Sequence, residues 1–92
     1  MKTGFCIFID TICDGRTPAW HDEKGFPVVY PTIEAAQREI ADDIIEHLHQ
    51  FIEGDRSFEE ALTIEDYILE VVILSDGTIR DIDGNIHYQQ PD

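Results

Sequence analysis

A long amphipathic stretch, residues 33–53, constrains the fold of this chain more than any other feature of its sequence. Thr32 is a good N-cap residue after Pro31, and Gly54 is a residue that commonly ends a helix. Between these ends, apolar side chains recur at helical spacing and share one broad arc: Ile33, Ile40, Ile44, Leu48, Phe51 and Ile52. The pattern predicts one long helix that must bury this arc against another layer of the protein.

The opposite side of the predicted helix is acidic. At 100° per residue, five carboxylates fall within about 100° of one another: Glu39, Asp42, Asp43, Glu46 and Glu53. Glu39 with Asp43, and Asp42 with Glu46, are like charges one turn apart, and each pair costs the helix a few tenths of a kcal/mol. Selection for helix stability alone does not favour this arrangement, so these five residues, the acidic face, are our candidates for partner binding.

Two segments have the pattern of strands that are covered on both sides. Residues 4–10 alternate two sets that are both mostly apolar, and residues 66–74 are β-branched and apolar apart from Glu70. The second segment is expected to be a central strand. A Ser-Asp-Gly turn leads from it into a hairpin with residues 78–82, and a short strand at residues 86–88 is expected to follow.

The connecting segments have weaker patterns. An Asp-Gly pair and a proline indicate a loop at residues 13–18, and residues 19–30 resemble a hairpin around a turn that contains Gly25. Ser57 and Glu60 have the spacing of a capping box, which predicts a short helical turn from Phe58 to about Leu62.

Together these elements predict a single α+β domain, residues 1–92, with an antiparallel sheet of about four to five strands. The long amphipathic helix is expected on one face of the sheet, with the short helical turn as an extra element. The other face also needs a cover, from a loop, the short helix or a second copy of the chain, so a homodimer through the uncovered sheet face or edge stays open. Residues 89–92 are expected to fray.

The charge of the chain restricts its partners. Twenty acidic residues stand against six Lys and Arg, a net charge of −14, and such a chain repels nucleic acid and anionic membranes. We therefore expect a protein partner with a basic or neutral surface. No run approaches the ~20 apolar residues of a membrane span. Cys6 and Cys13 have neither a zinc nor a redox-motif spacing, so free thiols in a reducing cytoplasm are expected, with Cys6 packed as a small apolar residue.

Acids and histidines raise the question of a metal site, but their spacing is poor. His47 shares a helix face with Asp43, whereas His47 and His49 point about 200° apart. The helix supplies two ligands at most, so we predict no resident metal or cofactor and keep a divalent-metal site as an alternative. A nucleophilic site assembled from Cys13, His21 and Asp22 has little room for an enclosed pocket in so short a chain, and we predict no enzyme.

The acidic charge is concentrated in one half of the chain. Residues 31–70 contain twelve acids and two arginines, a balance of −10 out of −14. Three interpretations compete: charge for solubility, docking to a basic or neutral protein, and nucleic-acid mimicry of the kind used by phage or mobile-element inhibitors. DNA presents one charge per ~1.7 Å of axis, so a mimic would need acids beyond the helix to extend the track.

The stretch PTIEAAQREI, preceded by the predicted hairpin, resembles the start of HicB-type antitoxins, in which a sheet edge leads into a Thr-capped helix. The likeness covers about thirty residues, from the hairpin to the first turns of the helix. It implies a small protein that acts by binding a partner.

Overall fold

The computed structural model of the protein describes residues 2–90. In chain order its elements are β1 (Lys2–Thr11), β2 (Gly15–Pro18), α1 (Ile33–Ile52), α2 (Phe58–Leu62), β3 (Tyr67–Ile73), β4 (Ile79–Arg80) and β5 (Ile86–His87). This is the predicted α+β fold, with one long helix, one short helix and a five-stranded sheet. None of the helices in the described part of the chain has the length and apolar run needed to cross a membrane.

The five strands form one antiparallel sheet in the order β2-β1-β3-β4-β5. Its main ladder joins β1 to β3 and runs from Lys2 opposite Ile73 to Phe8 opposite Tyr67. β3 lies between β1 and β4, so the prediction of a central strand at residues 66–74 is confirmed. The sheet is nearly closed, and a gap that we call the seam separates its edge strands β2 and β5.

The main core lies on the inner face of this curled sheet. Cys6 and Phe8 of β1 point to this face together, because alternate residues of a strand share a side, and they pack with Val71 and Ile79. All four residues are at most 1% exposed. Val29, from the loop at residues 19–30, packs against the cluster. The curl of the sheet and this loop therefore provide the cover that the second sheet face requires, and the predicted packing of Cys6 is confirmed.

Gly4 allows the loop to lie directly on β1. Phe5 and Tyr30 exchange two backbone hydrogen bonds, with N to O distances of 2.9 and 2.7 Å. A Cβ atom at Gly4 would overlap the Val29 side chain and would lie 3.1 Å from the Tyr30 carbonyl oxygen. Only a residue without a side chain fits this close approach of two backbones.

α1 packs against the other side of β1 and β3, but its most extensive contact is with α2. Ile7 is 1% exposed and points away from the side of Phe8, and Ala36 of α1 and Ala61 of α2 are fully buried. We call α1, α2 and their connection the helical hairpin. The molecule is elongated, with extents of 45 × 29 × 25 Å.

Both predicted helix starts are confirmed in atomic detail. The Thr32 hydroxyl accepts a hydrogen bond from the Ala35 N–H at 3.1 Å, and the Ser57 hydroxyl accepts one from the Glu60 N–H at 3.2 Å. α1 ends at Ile52, one residue before the predicted end, and the backbone then turns through Gly54, whose φ of 89° is left-handed.

Two connections differ from the predictions. Residues 15–18 are strand β2, paired with β1, where a loop was predicted from local turn residues. Residues 19–30 fold back as the hairpin pattern indicates, but they form only isolated bridges, His21 with Pro27 and Phe5 with Tyr30. In both places, pairing with a distant strand decides the conformation more than local composition does.

The predicted fraying of the tail is wrong for its first two residues. The Gln89 side-chain amide donates to the Lys24 carbonyl oxygen at 2.5 Å, and the Gln90 N–H donates to the Gly25 carbonyl oxygen at 2.8 Å. Residues 91 and 92 lie outside the described residues.

Candidate functional site

The acidic face on α1 presents most of its carboxylates to solvent. Glu39, Asp42, Glu46 and Glu53 are exposed. Within residues 2–90, none of these four forms an ion pair with a Lys, Arg or His side chain. The side chains of the described residues therefore leave this negative charge without an ion pair.

Asp43, the fifth residue of the acidic face, has a different position. It is half-buried, and its Oδ2 lies 3.6 Å from Nε2 of His47, one helical turn away. Asp43 and His47 both line a cleft of about 420 Å³ between α1, α2 and the segment that leads into β3. The structure thus turns Asp43 towards the interior of the helical hairpin, away from its four exposed neighbours.

The lining of this helix cleft is partly apolar and partly charged. Its lining includes three isoleucines (Ile40, Ile44 and Ile64) and the ionisable residues Asp43, His47, Arg56, Glu60, Glu65 and Asp66. Burial raises the pKa of Asp66 above its usual value, the negative charges of Asp43 and Glu65 raise it further, and His47 opposes them. The carboxylates in this lining favour a cationic group over an anionic one.

Part of the apolar arc of α1 is left uncovered. Ala36 marks the buried side of the helix, and at 100° per residue Ile45 and Ile52 lie about 160–180° from it. Ile45 is 53% exposed and Ile52 is 75% exposed. The helix is therefore rotated relative to its hydrophobic pattern, because α2 and residues 63–66 cover the side that carries Asp43 and His47.

Partly exposed apolar side chains also lie where the end of α1 meets the start of α2. The rings of Phe51 and Phe58 meet edge to face with 5.2 Å between their centroids, and Leu62 lies one helical turn after Phe58. Phe51, Phe58 and Leu62 are between 40% and 51% exposed. Ile45 and Ile52 lie about 140–160° around α1 from His47, which faces α2, so these two isoleucines belong to a different side of the helical hairpin. The sequence pattern assigned Phe51 and Ile52 to the buried arc, so their exposure was not predicted.

A second polar cluster lies at the seam of the sheet, around the buried side chain of Asp81. Its Oδ2 lies 3.3 Å from Nη1 of Arg16 and 2.9 Å from Nε2 of His87, and its Oδ1 accepts backbone N–H bonds from Asp83 and Asn85. Burial opposes the charged form of Asp81, but the hydrogen bonds from His87, Asn85, Arg16 and Asp83 outweigh burial and lower its pKa to about 2.

Arg16 extends this cluster across the seam. Its Nη1 lies 2.6 Å from Oδ2 of Asp83, and its Nε donates to the Tyr67 hydroxyl at 3.2 Å. That hydroxyl donates in turn to Asp10 at 2.6 Å. Side chains of β1, β2, β3 and the β4–β5 turn are thereby linked without a backbone ladder between β2 and β5. In the described residues, every buried side-chain nitrogen and oxygen has a partner, so we assign this cluster a structural role.

The cleft beside the seam does not bring together the residues of the hypothetical nucleophilic site. A cleft of about 590 Å³ beside the seam is lined by His21, Arg16 and His87 among others, but neither Cys13 nor Asp22 contributes to its lining. Cys13 is exposed, and burial raises the pKa of the Cys6 thiol to about 12.

For the metal alternative, the geometry supplies no ligand set. Residues 2–90 contain no group of three or more His, Cys, Asp and Glu side chains placed to hold one ion. His47 and Asp43 form the pair that the sequence predicted, and the structure adds no third ligand to them.

Comparison with known proteins found no relative of this chain. No protein-family model matches the chain, and no curated protein or solved structure matches it significantly. The resemblance to HicB-type antitoxins gains no support from these comparisons, and the chain is assigned to no family.

Proposed function

We propose that the protein is a non-catalytic cytosolic protein that binds a basic or neutral surface of another protein through the acidic face of α1. The observation that carries this proposal is the set of four exposed carboxylates, Glu39, Asp42, Glu46 and Glu53, for which the described residues supply no cation. A partner with Lys and Arg side chains would neutralise a charge that otherwise repels itself.

The charge would act mainly on the rate and selectivity of binding. Complementary charges steer an encounter over about one Debye length and reject partners of like charge, whereas exposed ion pairs add little affinity each. Binding through the acidic face should therefore weaken steeply as salt is added. It should also depend on where the carboxylates lie, beyond the net charge of the chain.

A charge-matched comparison tests the proposal. One variant combines Asp42→Lys, Glu46→Lys and Glu53→Lys, and its control combines Asp14→Lys, Glu23→Lys and Glu70→Lys at exposed positions outside α1. Both variants change the net charge from −14 to −8. The probe is a fluorescent synthetic amphipathic helix with lysines on its polar face, and its binding is followed by anisotropy.

We expect the α1 variant to bind the probe at least about tenfold more weakly than the wild type, and the control to lose less than about threefold. Equal losses in the two variants would show that net charge alone attracts the probe, and would overturn the proposal. Duplex DNA that displaces the wild-type chain from a DNA-binding protein would favour the mimicry alternative over general docking.

A further inference from the structure

We infer that the seam of the sheet binds an extended peptide segment of a partner protein, which pairs with β2 and β5 as a sixth strand. This inference goes beyond the proposed function, since it rests on backbone groups of the sheet and not on the carboxylates of α1. Such a segment is recognised mainly through its main chain, and its side chains add selectivity.

The directions of the strands fit one added strand better than direct closure. Each neighbouring pair in the order β2-β1-β3-β4-β5 is antiparallel. Directions therefore alternate along the five strands, and the two edge strands, β2 and β5, run the same way. They cannot form an antiparallel ladder with each other. A single strand that runs the opposite way is antiparallel to both and closes the sheet with six alternating strands.

β2 presents unpaired backbone groups to the seam. In an antiparallel pair, positions with and without mutual hydrogen bonds alternate along each strand. Next to β2, the Ala19 N–H donates to the Ile7 carbonyl oxygen at 2.8 Å. The next hydrogen-bonded residue of β2 is therefore Thr17, and Arg16 turns its N–H and C=O groups away from β1, towards the seam.

β5 presents the same kind of edge from the other side of the seam. The Asp81 N–H donates to the Asn85 carbonyl oxygen at 2.9 Å, so these two residues form a hydrogen-bonded pair. By the same alternation Ile86, opposite Arg80, turns its N–H and C=O groups away from β4. Within residues 2–90, no backbone–backbone hydrogen bond outside the ladders involves Arg16 or Ile86.

The cleft of about 590 Å³ beside the seam lies between these two edges. Residues 14 and 16–18 line it from the β2 side, and residues 85–90 line it from the β5 side. A ladder requires strands about 4.8 Å apart, and in the described part of the sheet none joins β2 to β5. The side chains of Arg16 and Asp83 bridge the gap instead. Unpaired edge groups on both sides of a cleft form a template for another strand.

The surroundings of the seam favour an uncharged or weakly basic strand that carries β-branched residues. On the β5 side, Ile86 is 39% exposed and Tyr88 is 68% exposed. Both side chains can pack against apolar side chains of a neighbouring strand, where β-branched residues fit best. The net charge of −14 opposes an acidic segment.

The test uses a fluorescent synthetic peptide of seven residues that alternates threonine with valine and ends in one lysine. Its control peptide has the same side chains, but every second amide is N-methylated, so one edge of the peptide cannot pair with a strand. Binding is followed by anisotropy. Amide hydrogen exchange, measured by NMR on the wild-type chain, reports on the N–H groups of Arg16 and Ile86, with Thr17 as the amide that already pairs with β1.

We expect the N-methylated peptide to bind at least about tenfold more weakly than its parent. The parent peptide should slow exchange at Arg16 and Ile86 at least about tenfold and leave exchange at Thr17 within about threefold. Ile86→Pro removes an N–H that β4 does not use, so it should weaken binding about tenfold, whereas Ile86→Ala keeps the N–H and should cost about threefold or less.

Three results would overturn the inference. The first is no binding of the parent peptide at about 1 mM, and the second is equal binding of the two peptides, which would show that the main chain is not recognised. The third is slow exchange at Arg16 and Ile86 without peptide that increases with protein concentration, which would assign the seam to a second copy of the chain.

Discussion

The sheet and the helical hairpin of this protein differ in how completely their side chains are buried and their charged groups are paired. In the sheet, Phe8 and Ile79 are fully buried, and the buried carboxylate of Asp81 has four hydrogen-bond partners. In the hairpin, Ile52 and Phe58 are more than half exposed, and four carboxylates of α1 lack a cation within the described chain. The difference indicates that the sheet supplies the stability of the fold, whereas the hairpin retains surface that a partner can cover.

The largest expected effect separates the two regions directly. Phe8→Ala should lower the free energy of unfolding by about 3–5 kcal/mol, because the lost ring leaves a cavity in the core. Phe58→Ala should cost less than about 1 kcal/mol, since its ring is half exposed. Urea denaturation at about 1 µM protein, where self-association contributes little, provides the measurement. Similar losses in the two variants would contradict the division between sheet and hairpin.

The seam cluster should show the next largest effect. Asp81→Asn should cost about 2–3 kcal/mol, because Arg16 and His87 lose a buried charged partner. Asp83→Asn is the matched control, since its carboxylate also contacts Arg16 but its side chain is 60% exposed. The control should cost less than about 1 kcal/mol. A larger loss of stability in the control would show that the exposed Asp83 stabilises the seam more than the buried Asp81 does.

The stability of the seam should also depend on pH. The folded pKa of Asp81 is about 2, below its usual value of 3.8, so folding favours the charged form. The contribution is fully present above about pH 4 and is lost as pH falls towards 2. Melting temperatures of wild type and Asp81→Asn should therefore differ at pH 6 and converge near pH 2. A constant difference across this range would exclude ionised Asp81 as the source of the stabilisation.

The contact between the loop and β1 should have a smaller effect. Gly4→Ala should cost about 1–2 kcal/mol, because the new methyl group forces Val29 and the Tyr30 backbone away from β1. Thr3→Ala, at the exposed neighbouring position, should stay within about 0.5 kcal/mol of wild type. Chemical denaturation of the two variants gives both values, and an unchanged Gly4→Ala protein would show that the loop can move without cost.

The smallest effect should appear on α1 and should have the opposite sign. Glu46→Lys should raise the free energy of unfolding by a few tenths of a kcal/mol, because it replaces the repulsion between Asp42 and Glu46 by an attraction one turn apart. Asp14→Lys gives the same change in net charge outside the helix. If the free energy of unfolding rises equally in both variants, the lower net charge of the chain explains the rise. The acidic face then has no particular cost to the stability of α1.

Local patterns in the sequence predicted the parts of the fold that local interactions decide. The N-caps at Thr32 and Ser57, the turn at Gly54 and the apolar strand at residues 66–74 all appear as expected. These features depend on hydrogen bonds within a few residues or on a strand that is covered on both sides. The exposure of four of the five acidic-face residues also agrees with the helical pattern, while their role in binding stays a prediction.

Features that depend on distant residues were not predicted. β2 has the composition of a turn, and it becomes a strand because β1 offers a ladder. The hydrophobic arc of α1 gave no indication that α2 would cover a side centred near His47, so Phe51 and Ile52 were predicted to be buried. Asp81 was placed in the predicted strand of residues 78–82, and the bonds of its side chain to the Asp83 and Asn85 N–H groups were not predicted. Asp81 comes two residues after the apolar Ile79, so both side chains point to the same side of the strand. This alternation was the available sign that Asp81 is a buried charge and needs a partner such as Arg16.

The contrast between the two cysteines has a practical consequence. Cys6 is enclosed in the core with a pKa of about 12, whereas Cys13 lies open at the turn between β1 and β2. A thiol-reactive dye should therefore attach at one position of the natural chain without any substitution. Such a reporter would sit in a turn of the sheet, outside both helices, and would leave the exposed carboxylates of α1 unmodified.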